Sequence, residues 1–207
     1  MVTVVAAVVD PDPTRGTKTL EAYLVTPTAH KQRRLDQSLE SYTTLLKRSF
    51  DAGCTTRSAV NDIVSGEDLN WQSKDALKNY VPQLLDKEVY GASALADAHP
   101  IRYTNRAAKF DIDHQRHHSV CWEVPQPGAQ SNNFWIPLHH NPDQEADWHV
   151  LLDEESDVEP GELRLQRDGT RWMLHVTVRY PKDDVTDLPA EPTYIGLDIG
   201  ETALLTG

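Results

Sequence analysis

Cysteine is nearly absent: Cys54 and Cys121 are the only two in 207 residues, and they lie far apart with no C-x-x-C pair. That usage predicts two buried free thiols and no zinc site in this chain. Also missing is any apolar run near the roughly 20 residues of a membrane span. The amino-terminal "MVTVVAAVVDPDP" has no basic stretch ahead of its short apolar run, so it reads as a strand rather than a secretion signal. These absences predict a cytoplasmic protein without a membrane partner. Basic residues are scarce too, 20 Lys and Arg against 32 Asp and Glu, for a net charge of -12.

Such a charge argues against a nucleic-acid partner at ordinary ionic strength. The acids, however, are 20 Asp against 12 Glu, and the bases 12 Arg against 8 Lys. That balance is the one expected of a protein working in very high salt, where acidic groups keep the surface hydrated. At molar salt the screening length is about 3 Å, so self-repulsion is short-ranged and net charge no longer excludes a nucleic acid.

The length allows one large or two small domains. The segment "TKTLEAYLV", Thr17 to Val25, alternates as a strand, and "TPTAHKQRRLDQSLESYTTLLKRSFDAG" follows as a helix. Leu35, Leu39, Tyr42, Leu46 and Phe50 recur at three- and four-residue steps, Thr28 is placed to cap the start, and Gly53 to end it. Lys31, Arg33, Arg34, Lys47 and Arg48 lie near the ends of this helix, either as phosphate contacts or as a solvated face. From about Thr55 to Ala98 the composition is helical, with breaks expected at Pro82 and Gly91.

From about Tyr103 to Tyr180 the character changes to short alternating runs, "FDIDHQ", "SVCWEV", "NFWIPLHH" and "WHVLL", separated by Pro, Gly, Asn and acidic turns. Within "GELRLQRDGTRWMLHVTVRY", Asp168-Gly169 is expected as a two-residue type I′ turn. Pairing across it sets Leu165 opposite Trp172 and Leu163 opposite Leu174, on an apolar face continued by Val176, Val178 and Tyr180. The opposite face carries Arg164, Arg171, His175 and Arg179, able to follow a nucleic-acid backbone or simply to be solvated. The five tryptophans, Trp71, Trp122, Trp135, Trp148 and Trp172, fit a core better than a base-stacking platform. The histidines of "HQRHH" and the pair His139 and His140 do not form a metal fork, because strand neighbours point to opposite faces.

The last zone is a Pro-rich stretch followed by "YIGLDIGETALLTG", in which Asp198 sits near the end of an apolar strand. The order of parts, from "VTPTAHKQRRLDQSLESYTTLLKRSF" through a helical stretch and strands ending in "RWMLHVTVRY" to "YIGLDIG", resembles the front half of OrfB-type transposon proteins, the TnpB family of RNA-guided DNA nucleases. The resemblance implies an α+β fold: a wedge-type β-barrel with a helical insertion, followed by the first strand or strands of a truncated ribonuclease-H-like (RuvC) domain. It divides the chain into 1–54 and 101–181 for the wedge region, 55–100 for the helical insert, 182–192 as linker, and 193–207 as the start of the nuclease domain.

In that family the Asp on the first nuclease strand holds Mg²⁺ in a two-cation site completed by later carboxylates. Asp198 matches the first of them and would be both metal ligand and catalytic residue. The later carboxylates and the family's zinc ribbon have no counterpart up to Gly207. The resemblance therefore implies a truncated relative, inactive alone, with guide RNA and DNA as partners and a separately encoded C-terminal part as a further one. Its nucleic-acid contacts would come from Lys31, Arg33, Arg34, Lys47, Arg48, Arg164, Arg171 and Arg179. Two alternatives stand beside it: a non-enzymatic nucleic-acid-binding protein that keeps only the recognition half, and an ATPase fragment, since "GLDIGETALLTG" is also similar to the first phosphate motif of sugar kinases and actin-like ATPases.

Overall fold

A computed structural model describes residues 15–86, 95, 99–112, 114 and 119–181. Asp198, Gly91 and the whole of "YIGLDIGETALLTG" lie outside the described residues. Within them the fold is mixed α and β, a curled, fully antiparallel seven-stranded sheet with four helices.

Strand β1 (Arg15–Leu24) is followed by helices α1 (Ala29–Asp51), α2 (Arg57–Val64) and α3 (Trp71–Asp86). Next come β2 (Ile101–Tyr103), β3 (Phe110–Ile112), β4 (Val120–Val124) and β5 (Phe134–His140), then α4 (Glu145–Leu152), β6 (Glu159–Asp168) and β7 (Arg171–Pro181). The spatial order β2-β6-β7-β1-β5-β4-β3 sets β1 inside a sheet whose other strands all follow α1 to α3 in sequence. β1 pairs with β7 from Arg15↔Pro181 to Tyr23↔Met173, but with β5 only from Ala22 to Leu24. Where β5 has left β1, the Gln144 side chain takes its place. Its Nε2 donates to the Thr19 carbonyl at 3.0 Å, and its Oε1 accepts from the Glu21 amide at 2.8 Å.

Helix α1 forms where the apolar spacing places it. The Thr28 hydroxyl accepts from the Lys31 amide, and Gly53 takes φ +64° just beyond the last turn, a conformation a side chain disfavours. The face it buries holds Leu35, Tyr42, Leu45 and Leu46, flanked by the half-buried Leu39 and Phe50. Pro82 does not break α3 as expected; it lies inside the helix. Pro82 cannot donate to the carbonyl one turn earlier, but the helix is held by packing, with Ala76, Leu77, Val81 and Leu84 buried. The run "WHVLL" is likewise a helix, not a strand. Asn141 caps the Pro142–Gln144 turn leading into α4, and Glu145 and Asp147 sit in its first turn, where the helix dipole favours acids.

The β6–β7 hairpin forms with its register displaced from the expected one. Asp168 pairs with Arg171, so Gly169 (φ +58°) and Thr170 make the turn, and Leu165 lies opposite Leu174 rather than Trp172, with Leu163 opposite Val176. The shift moves partners by two residues. Because side chains alternate with period two, the apolar face is unchanged. That face, with Leu20, Ile101, Ile136 and the buried Trp122, Trp148 and Trp172, forms the core. Each such large side chain contributes about 1.5–3 kcal/mol on burial. Trp71 and Trp135 depart from the core expectation. Trp71 is half exposed under the Arg106 guanidinium, and Trp135 stacks on His114 with ring centres 4.1 Å apart.

Candidate nucleic-acid interface

The eight cationic side chains expected to meet nucleic acid fall into two groups. On the sheet, Arg164 and Arg171 have acidic partners. Arg164 bonds Glu162 at 2.6 Å, and Glu162 also takes a two-pronged bond from the buried Arg102. Arg171 lies over the Tyr23 ring, 3.8 Å from its centre, and reaches Asp168 at 4.0 Å. Arg179 stands opposite Glu159 in the ladder, and that acid is bridged by Arg15. His175, on the same face, contacts Glu21 at 3.4 Å, yet burial outweighs that carboxylate and holds its pKa below the ordinary value.

At the start of α1 the cations have no acid paired with them among the described residues. Lys31 donates its ammonium to the Trp135 carbonyl at 2.6 Å, and Lys31 and Arg34 both lie over the Phe134 ring, at 5.7 and 5.6 Å. Arg33 is exposed. Among the described residues none of these three has a carboxylate partner within ion-pair distance, although Arg167 from β6 bonds Asp36 at 2.7 Å, one turn further along. At the far end of α1, Lys47 has no ionic partner among the described residues, whereas Arg48 is spent on Glu67 at 2.6 Å.

Arg34 opens onto a polar cleft of about 290 Å³ between α1, the α2–α3 connection and the β4–β5 connection. Gln37, Ser38 and Ser41 of α1 line one side; Gln126, Pro127 and Asn132 line another; Asp68 lies between them. The walls are fixed by their own bonds. Gln126 donates its backbone amide to the Asn133 side chain at 2.9 Å and its side-chain amide to the Pro125 carbonyl at 2.8 Å. Asn132 donates to the Pro127 carbonyl at 2.9 Å across Gly128, whose φ of +84° no ordinary side chain adopts cheaply. On the opposite wall, Arg48 pins Glu67, and the buried Leu69 and Asn70 follow, so Asp68 is held between two anchored positions.

These bonds use the donors of Gln126 and Asn132 and leave their side-chain oxygens available. Among the described residues the side chains of Gln37, Ser38 and Ser41 make no hydrogen bond, and Asp68 and Arg34 do not pair with each other. The cleft thus presents unused donors, unused acceptors, one cation and one anion.

The sequence marked the cations but not the polar wall. Its signal was available: Arg34, Ser38 and Ser41 step by four and three along α1, and "PQPGAQSNN" is a turn-rich polar loop. A second, smaller recess of about 210 Å³ lies on the sheet among Glu21, Tyr23, His139 and Met173. Among the described residues no three His, Cys, Asp or Glu side chains converge as metal ligands, and no helix is long and apolar enough to cross a membrane. Compared with known proteins, the chain matches no family model and no curated sequence.

Proposed function

We propose that this chain is an RNA-binding protein whose principal contact surface is the start of α1, related to the OrfB-type transposon proteins that its order of parts resembles. One observation carries the reading. In a protein with net charge -12, Lys31, Arg33 and Arg34 form a cationic group that has no carboxylate partner among the described residues, with Lys31 and Arg34 over the Phe134 ring and Arg34 at a polar cleft. Elsewhere the candidate cations are largely neutralised within the fold, which suits a structural role for Arg48 and Arg164. Phosphate contacts need cations free to exchange their counterions; Arg33 and Arg34 meet that requirement among the described residues, while Lys31 adds positive charge from its place on the Trp135 carbonyl.

The acidic remainder sets the conditions. At low salt its field repels RNA; at molar salt the field is cut to about 3 Å and only contacts at the surface count. Binding to a structured RNA is therefore measured across a salt series, with folding followed by circular dichroism. Where the chain is folded, neutralising Lys31, Arg33 and Arg34 to Gln is expected to make the slope of log affinity against log salt shallower by about two, for three phosphates on a single-stranded segment. An unchanged slope would remove these residues from the interface. In the OrfB relationship, DNA is a second partner and a C-terminal part carrying further carboxylates would complete an Mg²⁺ site with Asp198; both belong to this proposal.

A further inference from the structure

The cleft beside Arg34 is built to do more than hold a phosphate. Resting on the RNA-binding reading above, we propose that it takes one unstacked guanine nucleotide of a single-stranded RNA stretch, with Asp68 on the base and Arg34 on its phosphate.

Size comes first. About 290 Å³ sits at the lower end of small-ligand pockets, so it has room for one nucleotide unit rather than a helix. Sequence-specific RNA recognition commonly works on such splayed bases, held by stacking and by hydrogen bonds to their Watson–Crick edges.

Charge and hydrogen bonding then choose the base. A carboxylate offers two acceptor oxygens side by side and no donor. Among the four RNA bases only guanine presents two adjacent N–H donors, at N1 and N2, on its Watson–Crick edge. Asp68 lines the cleft with no ion-pair partner among the described residues, so its oxygens are available for that edge. The remaining wall supplies the complement: the hydroxyls of Ser38 and Ser41 and the Gln37 amide can donate to guanine O6 and N7. Uracil meets the carboxylate with a carbonyl on each side of its single N–H, a repulsive arrangement. Adenine and cytosine each offer one amino group beside a ring acceptor, again opposing a carboxylate oxygen.

Rigidity makes the choice effective. Asp68 follows the pinned Glu67 and precedes the buried Leu69 and Asn70, while Gln126, Asn132 and Asn133 lock the facing loop. Little ordering remains to be done on binding. Short-range directional contacts also keep their value in molar salt, where long-range attraction to phosphate is screened.

The test uses the full chain and four fluorescent octanucleotides that are identical except for a central G, A, C or U, titrated by anisotropy. The G-containing strand is expected to bind at least about fivefold more tightly than the others, the lower end of what a good two-pronged base contact discriminates. Asp68→Asn, which replaces one acceptor oxygen by a donor and removes a charge, should erase that preference by weakening the G strand while the A, C and U strands bind no less tightly than before. Arg34→Gln should weaken all four strands together. Equal binding of the four strands, or a preference untouched by Asp68→Asn, would overturn the guanine assignment and leave the RNA-binding reading standing. Failure of every strand and of larger structured RNAs to bind a folded chain would overturn both.

Discussion

Arg102 shows what a single buried charge demands of this fold. Its guanidinium lies 3.7 Å from the centre of the Tyr80 ring and makes a two-pronged bond to Glu162, with its side chain 8% exposed. The paired carboxylate raises its pKa despite burial, so it stays charged. Arg102→Met leaves the half-buried Glu162 to Arg164 alone and should cost about 2 kcal/mol, the loss of a charge-assisted hydrogen bond. Adding Glu162→Leu should restore part of that loss in urea unfolding, and a double variant less stable than the single one would refute the pair as the cause. His175 gives a second residue-level prediction. Its folded pKa is lowered from 6.5, first by burial and then by Arg164, against the opposing pull of Glu21. On acidification the unfolded chain therefore takes up this proton before the folded one does. The stability contributed by the neutral ring is complete above pH 6.5 and falls away as pH drops through the lower, folded value. Replacing His175 by Gln should flatten the fall of the thermal midpoint over that window, relative to the parent; a fall as steep as the parent's would show that other groups govern it.

Among the elements, α1 and the β6–β7 hairpin were legible because their signals are local. A capping Thr28, a terminal Gly53 and a regular apolar stripe define the helix without reference to the rest of the chain. The hairpin's faces followed from alternation, although Gly169 rather than Asp168 opens the turn and moves the partners by two. Where tertiary packing decides, sequence signals misled. Four apolar residues and a histidine in "WHVLL" read equally as strand or helix, and Trp148 is buried from a helix. Pro82 reads as a breaker, yet sits in α3 between the buried Val81 and Leu84. It persists there at a cost. Pro82→Ala regains a helix donor and should stabilise the chain by up to about 3 kcal/mol in thermal or urea unfolding. A destabilised variant would mean that the ring's packing outweighs the lost hydrogen bond. The polar cleft was invisible for a related reason: it joins α1 to loops about 30 and 90 positions further along, and no periodicity reports such a meeting.

At the scale of the molecule, one sheet brings together β1 and the strands that follow α3, with β1 joining β7 to β5. Helices α1 to α3 are thereby a long excursion between β1 and β2, which β6 and β7 separate in the sheet, and α1 is clamped to the sheet by Lys31 on the Trp135 carbonyl and Asp36 on Arg167. That clamp places Arg34, which has no carboxylate partner among the described residues, at the cleft. The central claim is that RNA binds there, and it is tested most directly by affinity for one structured RNA in buffer where circular dichroism shows every variant folded. A variant with Lys31, Arg33 and Arg34 changed to Gln is set against one with Arg57, Lys74 and Lys109 changed to Gln, which alters net charge equally at residues engaged elsewhere. The account predicts a loss of at least about tenfold in the first and little change in the second, since contacts outweigh overall charge where the field is screened. Equal losses in both, or none in either, would contradict it.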